Sequence, residues 1–216
     1  MNLKDRLQNA RLLLVTDPRP DLVERVAAGV RGGVDVVQLR DKSASREELL
    51  PLAAELREIC EAGGAIFTVN DDVELAWLSG AAGVHLGQED APIESAREAL
   101  GPNAIVGLSA SSAEEAFEAV REGADYLGVG TVYGTPTKSD TVVTGLGPVR
   151  ELARLNVPIP WFVIGGITLE TAREAAEAGA PGFAVVRAVL DADDPEAAAR
   201  KLRSFLPDAS SDRTPV

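Results

Sequence analysis

Short aliphatic runs recur along the chain, separated by longer stretches whose apolar positions have helical spacing. The runs are Leu12 to Thr16, Val34 to Leu39, Ala65 to Val69, Gly83 to Leu86, Ala104 to Leu108, Tyr126 to Val129, Trp161 to Ile164 and Phe183 to Val186. They are largely continuous rather than alternating, which predicts strands buried on both faces. Between them, Arg46 to Glu61, Ile93 to Leu100, Ala113 to Glu122 and Leu169 to Ala178 are rich in Ala and Glu and read as helices. Strand and helix alternating at roughly 20 to 35 residues imply a parallel sheet with right-handed crossovers. The run count closes most simply into a single (β/α)8 barrel over residues 1–206. An open doubly wound sheet would place a Gly-rich dinucleotide fingerprint after the first strand, where Thr16-Asp17-Pro18-Arg19-Pro20 stands instead.

Local signals agree with this division. Gly32-Gly33, Gly63-Gly64, Gly101, Gly123 and Gly179 fall where helices should end. Ser45-Arg46-Glu47-Glu48 and Ser112-Ala113-Glu114-Glu115 have the form of capping boxes at helix starts. Residues 207–216, rich in Ser, Asp and Pro, are expected to form a flexible tail.

Composition narrows the function classes. The 216 residues fit one core, 45% hydrophobic but only 4% aromatic, so the interior is aliphatic and Ala-rich. A formal net charge of -13 leaves no basic stripe for a phosphate backbone, which argues against nucleic-acid binding. No apolar stretch approaches the ~18 residues of a membrane span, and the N-terminus does not read as a secretion signal, so a cytoplasmic location is expected. Cys60 is the one cysteine, which rules out an internal disulfide and a Cys-based metal site and suggests a small core residue.

Against that acidic background, cations at strand ends stand out. Gln38-Leu39-Arg40-Asp41-Lys42 follows the second run, and Lys138 lies in the loop from Thr131 to Gly147, the longest between a strand and its helix. In a barrel all strand-to-helix loops open on one face, where active sites lie. Arg40, Lys42 and Lys138, with amides from Gln38 and Asn70, suit a diphosphate: Arg supplies a planar fork and Lys a mobile point charge. Asp71 and Asp90 fall on adjacent strand tips and either share a divalent ion such as Mg2+ or cap the following helices. Gly165-Gly166 after the seventh strand and Val186-Arg187 after the eighth lie where barrels build phosphate sites from backbone amides. His85, the sole histidine, reads as a hydrogen-bonded core residue before it reads as a general base.

Taken in order, Gln38-Leu-Arg-Asp-Lys42, Asn70-Asp71-Asp72, His85-Leu-Gly-Gln-Glu-Asp90, Gly107-Leu-Ser109, Tyr126-Leu-Gly-Val-Gly130, Thr135-Pro-Thr-Lys138 and Ile164-Gly-Gly-Ile167 resemble the thiamine-phosphate synthase family. The resemblance covers roughly residues 11 to 206. It implies a TIM barrel transferase that joins a hydroxymethylpyrimidine diphosphate to a thiazole ethyl phosphate, plain or carboxylated, giving thiamine monophosphate and pyrophosphate. It implies that Gln38, Leu39, Arg40, Asp41, Lys42, Asn70, Ser109 and Lys138 receive the pyrimidine diphosphate, with Arg40, Lys42, Ser109 and Lys138 catalytic. Asp71 and Asp90 would hold one Mg2+ per subunit. Thr135, Pro136, Thr137, Gly166, Val186 and Arg187 would receive the thiazole phosphate. The implied mechanism is dissociative, with pyrophosphate leaving before the thiazole nitrogen attacks.

The chain departs from that pattern at Ser111, where many members carry histidine, and at Arg187, where serine is common. The same scaffold also serves a thiazole tautomerase, which uses that histidine for proton transfer. A noncatalytic phosphate-ligand barrel is the rival from another class, yet it needs neither the carboxylate pair nor three cations. The expected partners are therefore small molecules, with no nucleic acid and no membrane, and the sequence leaves open a homo-oligomer.

Overall fold

In the computed structural model, residues 2–135 and 142–207 are described. Eight parallel strands close in sequence order into a barrel: β1 (Leu12–Val15), β2 (Val36–Leu39), β3 (Ile66–Asn70), β4 (Gly83–Leu86), β5 (Ile105–Ala110), β6 (Tyr126–Val129), β7 (Trp161–Ile164) and β8 (Phe183–Val185). β8 pairs with β1 through Leu12↔Phe183 and Leu14↔Val185, which removes the free edge. The alternative of an open sheet is thereby excluded.

Outside the strands stand α1 (Leu3–Gln8), α2 (Leu22–Arg31), α3 (Arg46–Gly63), α4 (Val73–Ser79), α5 (Ile93–Leu100), α6 (Ala113–Glu122), α7 (Gly147–Leu155), α8 (Ala172–Glu177), α9 (Arg187–Leu190) and α10 (Pro195–Arg203). α3 begins with the expected capping box: Ser45 Oγ accepts from the Glu48 N–H and the Glu48 carboxylate accepts from the Ser45 N–H. At α6 only half of it forms. Ser112 accepts from the Glu115 N–H, but the Glu115 carboxylate accepts instead from the N–H and hydroxyl of Ser111.

The strand parity splits the interior into two cores. Leu14, Val37, Leu39, Phe67, Val69, Val84, Leu127 and Val163 face outward and pack against the helices. Leu13, Val15, Val36, Ile66, Ile105, Tyr126, Phe162 and Ala184 face inward, and α1 closes the lower mouth by adding Leu7. α1 is held there by Arg6, which donates to the carbonyls of Gly64 and Ala65, and by a 2.9 Å ion pair from Lys4 to Asp125. The largest fully buried side chains include Tyr126, Phe162 and Phe183, each contributing on the order of 2 to 3 kcal/mol of apolar burial.

Two carboxylates brace the lower rim. Asp35, before β2, accepts from the N–H groups of Arg11 and Leu12 at 2.8 and 2.9 Å and also from Arg203. Asp125, before β6, accepts from Val106 N–H at 2.9 Å and from Arg97 at 2.8 Å. Each joins two strands and a helix where the ladder begins. With the lower end plugged and braced, the barrel is open at the carboxyl ends of its strands.

Candidate active site

The inward parity that fills the lower barrel with aliphatic residues turns polar near the top. Gln38 of β2, Asn70 of β3, His85 of β4 and Ser109 of β5 border a cavity of about 550 Å³ at the carboxyl end. The loops add Arg40, Lys42, Asp71, Asp90, Thr135, Gly166, Val186 and Arg187 to the same wall. Leu39 and Asp41 are placed otherwise. Leu39 is buried in the outer core, and the Asp41 carboxylate accepts from the Ser43 N–H, the Ser43 hydroxyl and the Ala44 N–H, forming a turn. Pro136, Thr137 and Lys138 lie outside the described residues.

The floor of the cavity is a buried polar cluster. Gln38 Nε2 donates to the Tyr126 hydroxyl at 3.4 Å, and Thr68 also hydrogen-bonds that phenol. Burial pushes the Tyr126 hydroxyl well above its ordinary pKa, so it stays protonated. The His85 ring lies 5.3 Å from that of Tyr126, and His85 Nε2 is 3.0 Å from Ser109 Oγ. Gln88 Nε2 donates to the Ser109 carbonyl at 2.6 Å, fixing the backbone on the other side. His85 is 8% exposed, as a hydrogen-bonded core histidine should be. Gly107 makes this arrangement possible, because a Cβ there would fall 2.2 Å from Tyr126 Cζ and 2.6 Å from His85 Nδ1.

On one side stands a pair of carboxyls with one cation. Asp71 follows β3 with φ 62, a left-handed backbone that Asp tolerates better than most residues. Asp72, not Asp71, caps α4, accepting from the Leu75 N–H at 2.8 Å. Asp90 caps no helix: one of its oxygens accepts from the Gly87 N–H at 2.6 Å, and the N-cap of α5 is Pro92, which makes no side-chain cap. Both carboxyls are thus released from helix capping. Burial pushes the Asp71 carboxyl above its ordinary range, hydrogen bonding to Asp90 and its negative charge push it further, and Lys42, at 3.2 Å, offsets part of this.

Two facing carboxyls with an ammonium beside one of them are suited to a divalent cation. Among the described residues, no set of three or more His, Cys, Asp or Glu side chains forms a metal cage. Mg2+ needs none, since it commonly binds through one or two carboxylates with substrate oxygens and waters. The residues therefore fit the ion.

The opposite wall is backbone. Past the ends of β6 and β7 the ladder continues, Val132 N–H donating to Ile164 O at 2.9 Å and Tyr133 N–H to Gly165 O at 3.0 Å. The two segments approach so closely that a Cβ at Gly166 would meet Tyr133 Cβ at 2.7 Å and Gly134 O at 2.9 Å. The Tyr133 hydroxyl donates to Glu174 at 2.9 Å, and Thr171 Oγ1 donates to Gly166 O at 3.1 Å. This wall needs no side-chain charge to present polar groups.

Several wall and floor residues escaped the sequence reading: Thr68, Tyr126, Glu115, Thr131 and Thr168. For Thr68 and Tyr126 a signal existed, since each lies on the same strand face as Asn70 or Gly128, but continuous apolar strands conceal which face points inward. Glu115 and Thr168 reach the cavity from outside the strands, and spacing gives no indication of that.

Comparisons with known proteins agree with the geometry. The family model described as thiamine monophosphate synthase matches residues 12–189. A thiamine-phosphate synthase of Synechocystis sp. is 47% identical over 204 residues, covering 94% of this chain and 59% of that protein. One of Thermobifida fusca is 42% identical over 208 residues, covering 94% of this chain and 95% of that protein. The chain thus spans less than two thirds of the longer relatives, including 56% of the one from Thermosynechococcus vestitus. A solved thiamine phosphate pyrophosphorylase from Pyrococcus furiosus superposes with a TM-score of 0.84 at 39% identity, covering 97% of this chain and all (100%) of that one. A 3-hexulose-6-phosphate synthase at 19% identity, TM-score 0.62, shares the fold alone. With the match running from β1 into α9, after the last strand of the barrel, the chain belongs to the thiamine monophosphate synthase family.

Proposed function

We propose that the protein is a thiamine-phosphate synthase, joining a hydroxymethylpyrimidine diphosphate to a thiazole ethyl phosphate with release of pyrophosphate. One observation carries the reading: a single cavity at the barrel's upper end joins Arg40 and Lys42, the Asp71–Asp90 pair and the Gly165-Gly166 wall. A substrate with a diphosphate at one end and a partner with a phosphate at the other need such a two-sided chamber.

The residues divide the work by position. Arg40 and Lys42 face the diphosphate and stabilise the negative charge that grows on it as the C–O bond breaks, which is where electrostatic catalysis is most effective. Gln38, Asn70 and Ser109 supply neutral donors and acceptors that orient the pyrimidine without adding charge. Asp71 and Asp90 would hold Mg2+, which when bound supplies positive charge against the departing pyrophosphate. Gly166, with the main chain at Val186 and Arg187, holds the thiazole phosphate, so the ring nitrogen is already poised when the carbon becomes electron-poor. The chemistry needs little proton transfer, in keeping with a site whose one histidine is buried under Ser109. Lys138 completes the cation set in this proposal, by its place in the sequence.

The test is direct. Purified protein, both substrates and Mg2+ should yield thiamine monophosphate and pyrophosphate by mass spectrometry, and EDTA should suppress both. Absence of product with the plain and with the carboxylated thiazole would refute the assignment.

A further inference from the structure

The ammonium of Lys42 rests 3.2 Å from Asp71, on the carboxyl pair proposed to take the metal. This pairing is at odds with a lysine whose only task is to grip a diphosphate. Lys42 is 60% exposed on a flexible stem, and Asp71 is 33% exposed, so the contact is adjustable rather than locked. Asp71 itself has little freedom, being set by its left-handed backbone between β3 and the cap residue Asp72.

We infer that Lys42 is a placeholder cation: without ligand it sits on Asp71, and it must leave that carboxyl for a divalent ion to be held by Asp71 and Asp90. The inference rests on the metal assignment made above and adds a binding order to it. In the resting site, a lone ion entering would meet an ammonium on its own ligands, so it binds weakly. A diphosphate offers Lys42 an alternative partner, and drawing the ammonium away from Asp71 exposes the carboxyl just as phosphate oxygens become available to complete the ion's shell. Metal and diphosphate therefore load as a unit. The device keeps Asp71 paired between turnovers and couples the two affinities reciprocally, as linkage requires.

The experiment uses Mn2+ as the probe and reads binding, not turnover. Free Mn2+ is counted by electron paramagnetic resonance as the full chain is titrated without substrate, for wild type, Lys42→Met, Lys42→Gln and Arg40→Met. Thermal melting of each variant checks that it folds, which exposed Lys42 gives good reason to expect. Both Lys42 variants should bind Mn2+ about tenfold more tightly than wild type. Arg40→Met removes the same charge from the same cavity but not the ammonium on Asp71, and should tighten binding by no more than about threefold. Adding Asp71→Asn to Lys42→Met should abolish the gain.

Equal affinity in wild type and the Lys42 variants, or equal tightening by Arg40→Met, overturns the placeholder and leaves the metal site standing. No Mn2+ binding in any variant overturns the placeholder too, and if inorganic pyrophosphate does not restore binding the metal site falls as well.

Discussion

Replacing Gly107 with alanine tests whether the packing under Ser109 is as tight as the structure shows. The added methyl would lie 2.2 Å from Tyr126 Cζ, 2.4 Å from its Cε1 and 2.6 Å from His85 Nδ1. Ordinary carbon contacts are about 3.5 to 4.0 Å, so the rings must retreat by roughly 1 to 2 Å. Neither has room. Tyr126 is fully buried, stands edge-on to Phe162 with centroids 5.8 Å apart, and is held by Gln38. Overpacking a filled core costs about 1 to 3 kcal/mol, and two rigid neighbours place this case at about 2 to 3. For a chain of this size, that lowers the Tm by roughly 4 to 12 °C. Urea unfolding followed through the buried Trp161 measures it. The comparison is Gly64→Ala, where φ is 76 and a Cβ meets nothing within 4 Å, so only the left-handed backbone penalty of about 1 kcal/mol applies. Turnover should also fall in Gly107→Ala, because His85 cannot move without disturbing Ser109. If Gly107→Ala is no less stable than Gly64→Ala, the floor yields easily and its proposed part in positioning Ser109 fails.

Three further outcomes are expected. Asp125→Ala at the lower rim strands the Val106 N–H and part of the Arg97 guanidinium, and should cost about 3 kcal/mol in urea unfolding with Mn2+ affinity unchanged; a weakened metal site would contradict the separation of the two barrel ends. Asp71→Asn should lower Mn2+ affinity at least about tenfold, yet leave metal-free stability at neutral pH equal or higher. The sign follows from the raised carboxyl: its contribution is most favourable below the unfolded pKa and is lost as pH rises through the folded one, so the variant gains on wild type with rising pH in calorimetry. For Asp72, burial resists ionisation, but the hydrogen bonds from Arg46 and the Leu75 N–H outweigh it and hold the carboxyl below its usual range. Its stabilisation is therefore full above about pH 3.9 and fades as pH falls through the depressed value, so Asp72→Ala should cost about 1 kcal/mol at pH 7 and less under acid, and a pH-independent difference would refute the cap.

The barrel was legible because strands covered on both faces must be apolar throughout, and short apolar runs between helical stretches are hard to mistake. Their ends were less so. β2 starts at Val36 rather than Val34, since Val34 N–H turns back to Gly29 O and the Asp35 carboxylate binds the start of β1. β5 extends to Ala110, beyond the expected Leu108, because Ser109 and Ala110 still pair with β6 despite the change to polar sequence. The same property that exposed the strands hid the floor. When both faces are apolar, no pattern says that Tyr126 and Thr68 point inward while Leu127 and Val69 point out. The cavity wall was read from the loops, where polar residues follow each run, and Leu39 and Asp41 show the limit of that reading: adjacency in sequence to Arg40 does not give a residue the same direction.

Asp71 and Asp72 show how neighbours can divide tasks that appear exclusive in sequence. A carboxylate before a helix can cap it or face a ligand, and a single side chain cannot do both. The chain solves this with two aspartates and one unusual backbone angle. At φ 62, Asp71 turns away from the helix axis toward Asp90 and Lys42, while Asp72, back in the extended region at φ -89, accepts from Leu75 N–H and Arg46. The cap and its Arg46 ion pair anchor the turn from below, so the left-handed residue above it is held at the cavity rim with no helix bond of its own. Ordinary capping therefore makes the carboxyl proposed to hold the metal rigid, and it does so without spending that carboxyl on the helix.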